Sequence, residues 1–264
     1  MYPYDIVLGL DLYDLSIAVG FLGALVFFRI WADRRGFSAA LQNLCIVGAV
    51  FAIVGGYGLA VLVQAFYNYM ESGVFEVVSS TGATFYGGLI GGAGCFLLVY
   101  FVGGRFLLKD REHQKRFFSL SEIAAGSISL AHGFGRLGCL FAGCCHGRVT
   151  HAWYGIYNVY LGHKTVPVQL FEALFLFALT AYTCYRLAKE KKGNLGLYLI
   201  AYAVWRFFVE YLRDDARGAT LVSFLTPSQL TAVLLILLGV GLWWLEHRVT
   251  GKGTAKEASG DDQA

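Results

Sequence analysis

Charge is scarce in this sequence: Asp, Glu, Lys and Arg together make up only 15% of its 264 residues. That scarcity excludes an ordinary soluble domain, in which about a quarter of the residues are charged. The N-terminus, M-Y-P-Y-D-I-V-L-G-L-D-L-Y-D, carries no basic residue ahead of its first long apolar run. A cleavable signal peptide opens on a basic flank, so the first span is expected to be retained. The six cysteines lack the paired spacing of a disulfide framework or a zinc finger. Neither a metal nor another cofactor is expected. A net charge of +3 is weak evidence for a nucleic-acid partner, and the placement of the basic residues explains it better.

What the chain does have is apolar length. It is 57% hydrophobic, with a mean hydropathy of +0.57. Several of its apolar runs approach the roughly 20 residues a helix needs to cross a bilayer. The pattern predicts an all-α integral membrane protein, a single transmembrane domain over 1–249. Seven spans are predicted, near 12–31, 42–65, 84–104, 119–141, 166–187, 194–212 and 226–246. The polar tail, 250–264, is expected to be disordered. Of the 21 Lys and Arg, fifteen lie at the ends of spans one, three, five and seven or in the segments that follow them. Only Arg148, Lys164, Arg213 and Arg217 lie on the opposite side, and Arg136 and Arg206 lie inside spans. The positive-inside rule then sets the N-terminus outside and the C-terminus in the cytoplasm. Residues 66–82, aromatic and acidic, read as an outer interfacial segment, and 142–165 as a small outer cap.

The stretch from Ser119 to Arg148 organises the rest. It carries His132 and Arg136 four apart, on one helical face, and then glycines with Cys139, Cys144, Cys145 and His146. A buried arginine costs at least about 2.5 kcal/mol in a membrane helix, so it faces protein, water or a bound anion. Phosphate suits it, because the planar guanidinium matches phosphate oxygens in pairs. In the sixth span Arg206 and Glu210 are again four apart, either a neutralising ion pair or part of a site. Two arginines against one carboxylate leave such a site net positive. Gln169 and Glu172, three apart in the fifth span, suit hydrogen bonds between helices, and Glu172 is placed to orient an arginine. Gly87 with Gly91, and Gly88 with Gly92, suit close helix packing, or else clear room for a headgroup beside Tyr86. The cysteine cluster reads either as small residues packed in a re-entrant turn or as a disulfide or reactive thiol on an oxidising face.

Four blocks stand out: G-R-L-G with Gly143 and Gly147-Arg148, F-Y-G-G-L-I-G over 85–91, P-V-Q-L-F-E-A-L over 167–174, and R-F-F-V-E-Y-L-R over 206–213. Together they resemble the bacterial phosphatidylglycerol–prolipoprotein diacylglyceryl transferases over nearly the whole chain. The resemblance implies a seven-span inner-membrane fold with its N-terminus outside and its site toward the outer leaflet. It implies transfer of the diacylglyceryl group of phosphatidylglycerol to the lipobox cysteine of a prolipoprotein signal peptide, with glycerol phosphate leaving. On it, Arg136 binds the lipid phosphate, Arg206 stabilises the leaving phosphate and Glu210 holds Arg206. Three positions depart from the family pattern: Tyr86 replaces a histidine, Cys139 an asparagine and Cys144 a glutamate. With that histidine gone, Tyr86, His132 and His146 are the candidates for general base. Two other readings use the same residues: a non-catalytic lipid-binding paralogue, and a membrane thiol oxidoreductase working through Cys139, Cys144 and Cys145.

Overall fold

A computed structural model describes residues 9–78, 81–213 and 225–258, with Tyr4 and Ile6. The chain divides into two compact units, one of residues 1–30 and 118–264, the other of residues 31–117. Among the described residues, six helices are long and apolar enough to cross a membrane. Their outward faces carry apolar side chains such as Leu22, Val54 and Ile90 in the open, as an integral membrane protein requires.

In the unit of residues 31–117, α2 (Ala39–Ser72) starts on Ser38, whose extended backbone lets its Oγ accept from the Leu41 N–H. Glu112 fixes that cap by accepting from the Ser38 N–H and Oγ at 3.1 and 2.6 Å. The helix stops at Gly73, where φ reaches +74°, a conformation glycine adopts without strain. The next helix, α3 (Phe85–Leu98), is capped by Thr84 and passes through a π turn, Val99–Gly103, into α4 (Gly104–Leu107). The glycines of α3 are packing sites. A Cβ on Gly91 would sit 2.7 Å from the Gly55 carbonyl oxygen, and one on Gly87 2.7 Å from that of Leu59. The small-residue spacing therefore serves close approach of α2 and α3, where van der Waals contact supplies the association energy in lipid. Tyr86 sits on the first turn of α3 and is 44% exposed.

In the other unit, the central helix is α5 (Glu112–Ala142) from residue 118 onward. Its 31 residues extend about 46 Å, but its composition keeps it outside the six most apolar helices. Between 119 and 142 only Ile128 is exposed. A helix covered by protein has no need of a lipophilic surface, which explains its polar content. On one side the α1 (Leu12–Arg34) glycines make room for it: a Cβ on Gly20 would meet Phe134 Cβ at 2.8 Å. On another, Gly133 accepts the Phe177 ring of α6 (Val168–Ala188), and Ser129 Oγ donates to the Leu176 carbonyl at 2.9 Å. The buried carboxylate of Glu122 accepts from the Gly193 and Asn194 N–H groups at 2.7 and 2.9 Å. These are orphan donors at the start of α7 (Asn194–Val209), and a carboxylate there also meets the positive end of the helix dipole. Gly196 and Gly239 bring α7 against α8 (Pro227–Ala258), each placing a would-be Cβ 3.0 Å or less from the other's carbonyl oxygen.

Between α5 and α6 lies a hairpin not foreseen in an all-α reading. Its strands, β1 (Ile156–Asn158) and β2 (His163–Thr165), pair antiparallel with Tyr157 opposite Lys164. Gly147 bridges to Arg213 at the far end of α7's 3-10 extension. The helix α8 is assigned as far as Ala258. Arg217, and residues 259–264 of the expected tail, lie outside the described part.

Candidate functional site

The site is built from the last turns of α5, the first turns of α6 and the far half of α7. On α7 and its extension the residues Tyr198, Tyr202, Arg206 and Glu210 recur every four positions, so one stripe carries them all. His132 and Arg136, four apart on α5, meet that stripe. His132 Nδ1 lies 3.1 Å from the Tyr198 hydroxyl, and its ring packs edge-on to Tyr202 at 4.6 Å. Arg136 Nη2 donates to the Tyr202 hydroxyl at 3.3 Å and pairs with Glu172 Oε1 of α6 at 3.1 Å. Tyr202 in turn donates to the same Glu172 oxygen at 2.8 Å. Arg136, Tyr202 and Glu172 thus form a closed triangle drawn from three helices. The Arg136 side chain keeps 18% exposure while that of Glu172 has none, and the Arg136 Nε–H is buried without a hydrogen-bond acceptor.

One turn on, Arg206 Nη2 pairs with Glu210 Oε2 at 2.9 Å and donates to Ser228 Oγ of α8 at 3.0 Å. Glu210 is held from its other oxygen by Thr226 Oγ1 at 2.9 Å. Arg206 and Arg136 are both in electrostatic reach of Glu172, Tyr202 and His132. The net positive charge expected from two arginines and one carboxylate is corrected here. Glu172 supplies the second carboxylate, so the two ion pairs balance. Spacing along one helix shows Arg206 with Glu210, but the Arg136–Glu172 pair crosses between helices and leaves no such trace. On the neighbouring face of α7, Trp205, Phe208 and Leu212 line an apolar groove of about 600 Å³, closed on the α6 side by Phe175 stacked on Trp205.

Just past Arg136, the chain leaves α5 and doubles back. Gly143 and Cys145 adopt positive φ, +75° and +56°, turning the chain so that Cys144 and Cys145 return over Cys139. The three sulfur atoms lie within 4.8 Å of one another. Two buried amides pin the turn from outside: Asn158 Nδ2 of β1 donates to the Gly143 carbonyl at 2.9 Å, and Gln169 Nε2 of α6 to the Cys144 carbonyl. Gln169 was expected to bond between helices, and it bonds instead to this loop. Hydrogen bonds from Cys139 and Cys144, and after them the Arg213 guanidinium, hold the Cys145 thiol well below its ordinary range. The ring of His146 turns toward its neighbour, with Nδ1 3.0 Å from the Gly147 carbonyl, and is not part of the thiol group.

The structure thus brings His132 and Arg136 together with Arg206 and Glu210 along one stripe, and Cys139, Cys144 and Cys145 into one cluster. Tyr86 belongs to the unit of residues 31–117. Tyr198 and Tyr202 were not among the sequence candidates, although their four-residue spacing from Arg206 carries the signal. Asn158 left no signal, since only the turn around Gly143 brings it in, and Arg213 showed only as the last residue of the fourth block.

The sequence is similar to that of known proteins. The sequence profile of the family described as "Prolipoprotein diacylglyceryl transferase" matches residues 4–245. The chain is 30% identical over 239 residues to phosphatidylglycerol–prolipoprotein diacylglyceryl transferase 2 of Clostridium perfringens, covering 88% of this chain and 89% of the relative. It is 31% identical over 240 residues to the phosphatidylglycerol–prolipoprotein diacylglyceryl transferase of Clostridium tetani, covering 86% and 90%. A third relative, from Chromohalobacter salexigens, is 31% identical over 245 residues, covering 87% and 85%. A match of this extent, over a range that holds all four blocks and both buried arginines, means that the chain belongs to the prolipoprotein diacylglyceryl transferase family.

Proposed function

We propose that this chain moves the diacylglyceryl group of phosphatidylglycerol onto the lipobox cysteine thiol of a prolipoprotein, in keeping with the names of its relatives. The observation that carries the reading is the pair of buried guanidiniums on α5 and α7, each seated on its own carboxylate. In the reaction the glycerol C–O bond to phosphate breaks and a C–S thioether bond forms. The thiol proton goes to a base, and the electron pair leaves on glycerol phosphate. Arg136, with an unused Nε–H, binds the lipid phosphate. Arg206 faces the charge that grows on the departing phosphate, and fixed donors in a dry site are worth most there. Glu210 and Ser228 hold Arg206 still, while Glu172 and Tyr202 do the same for Arg136. His132, beside Arg136, is the base we favour over Tyr86 and over His146, whose ring is turned to its own neighbour. The apolar groove beside the α7 stripe suits an acyl chain.

The same reading makes α5 the seventh span and puts the N-terminus outside, the C-terminus in the cytoplasm and the site toward the outer leaflet of the bacterial inner membrane. The basic-residue bias supports that orientation. In a strain depleted of its own diacylglyceryl transferase, expression of this chain is expected to restore growth and the mass shift of maturing lipoproteins. Normal membrane levels of the protein with unmodified prolipoprotein would overturn the reading.

A further inference from the structure

We propose that Cys139, Cys144 and Cys145 form a zinc site with three thiolate ligands and one exchangeable position. Spacing in the sequence argues against a metal, because C-x4-C-C offers one clump rather than two separated pairs. The fold reverses that expectation. Cys139 lies on the last turn of α5, and the reversed turn at Gly143 and Cys145 lays the other two sulfurs over it. In a tetrahedral zinc centre with Zn–S bonds near 2.3 Å, the sulfurs sit about 3.8 Å apart. Here all three already lie within 4.8 Å, so a shift of about 1 Å completes the site.

The cluster is also held in place. Buried Asn158 and Gln169, from two different elements, take the carbonyls of Gly143 and Cys144, which fixes the loop bearing two of the ligands. Such outer partners are what orient ligands in real metal sites. Charge favours the same conclusion. Three thiolates on Zn2+ leave one net negative charge, beside Arg136, three residues before Cys139 on α5, and Arg213, whose backbone bridges to Gly147 just past Cys145. Soft sulfur donors in a tetrahedral set select zinc over the hard cations. Cys139, Cys144 and Cys145 are thiols in the structure, so none of the three is committed to a disulfide. Three protein ligands with a fourth place for water or an external thiol is the arrangement of a reactive rather than a purely structural zinc.

The test reads metal content, so its outcome is independent of lipid transfer. Tag-free protein is purified in detergent under reducing conditions and analysed for zinc by mass spectrometry. The expected result is ~1 zinc per chain, retained in the C45S/C95S/C184S variant and lost in C139S/C144S/C145S. Because the latter variant could fail to fold, the wild-type protein is also loaded with Co2+. Intense sulfur-to-cobalt charge-transfer bands with tetrahedral d–d bands are expected, and they should shift when a small thiol is added. Zinc at background level in reduced protein with no cobalt–sulfur band would overturn the proposal. So would zinc retained in C139S/C144S/C145S, or an internal disulfide within the trio whose reduction yields no metal binding.

Discussion

Replacing Arg136 by alanine is expected to raise the mole fraction of phosphatidylglycerol needed for half-maximal transfer in mixed micelles by roughly 10- to 150-fold. Hydrogen bonds to a charged group contribute about 1.5–3 kcal/mol, and about 1.4 kcal/mol is a factor of ten. The maximal rate should fall far less, since a contact made equally in the bound and transition states mainly changes binding. The substitution also strands Glu172, whose side chain is fully buried. An unpaired buried charge costs about 3–5 kcal/mol of stability, so the variant alone confuses binding with folding. The companion Arg136→Ala/Glu172→Gln removes that charge. It should recover most of the thermal stability and none of the lipid affinity. Recovery of both would make the Arg136–Glu172 pair a structural brace and remove the phosphate from it. Arg136→Lys should restore little, because an ammonium cannot engage two phosphate oxygens as a planar fork does.

Arg206→Ala should show the opposite pattern. Losing one preorganised donor to developing charge typically costs about 10²- to 10³-fold in kcat, so kcat is expected to fall by about that factor with half-saturation nearly unchanged. Glu210→Gln should lower kcat by a smaller factor, since Arg206 keeps its bond to Ser228 Oγ at 3.0 Å but loses its ion pair. Single-turnover measurement with labelled lipid separates this loss from slow product release. If Arg206→Ala impairs only lipid binding, the assignment of the two arginines is reversed.

Much of this was legible in the sequence, and the reasons differ by feature. The long apolar helices were readable because each needs a long apolar run, and they start within a few residues of the expected spans at Leu12, Phe85, Val168, Asn194 and Pro227. α5 begins earlier, at Glu112, because its first turn carries charged residues outside any apolar run. Arg206 with Glu210 was readable because both lie on one helix face. Glu172 against Arg136 was only a suggestion, since no periodicity along α6 shows what α5 turns toward it. The role of the glycines in α3 had two readings from spacing. The would-be Cβ of Gly91, 2.7 Å from a carbonyl oxygen of α2, decides for packing. The thiol cluster showed in the sequence as neighbouring cysteines, but its geometry was hidden most deeply. It depends on two residues at positive φ, one of them the non-glycine Cys145, and on an asparagine from a hairpin that apolar patterning could not announce. Such short strands, three residues each, carry no period long enough to read.

On this account, two guanidiniums on α5 and α7 hold a phospholipid headgroup while its glycerol carbon passes to sulfur. The most direct test mixes the purified protein with phosphatidylglycerol labelled in both glycerols and a lipobox peptide, and weighs the products. The expected result is peptide gaining a thioether-linked diacylglyceryl group in step with an equal amount of released glycerol phosphate, and neither product with a Cys→Ser peptide. Folded protein that binds the lipid yet leaves the peptide unmodified, or releases glycerol phosphate without modifying it, would contradict the account.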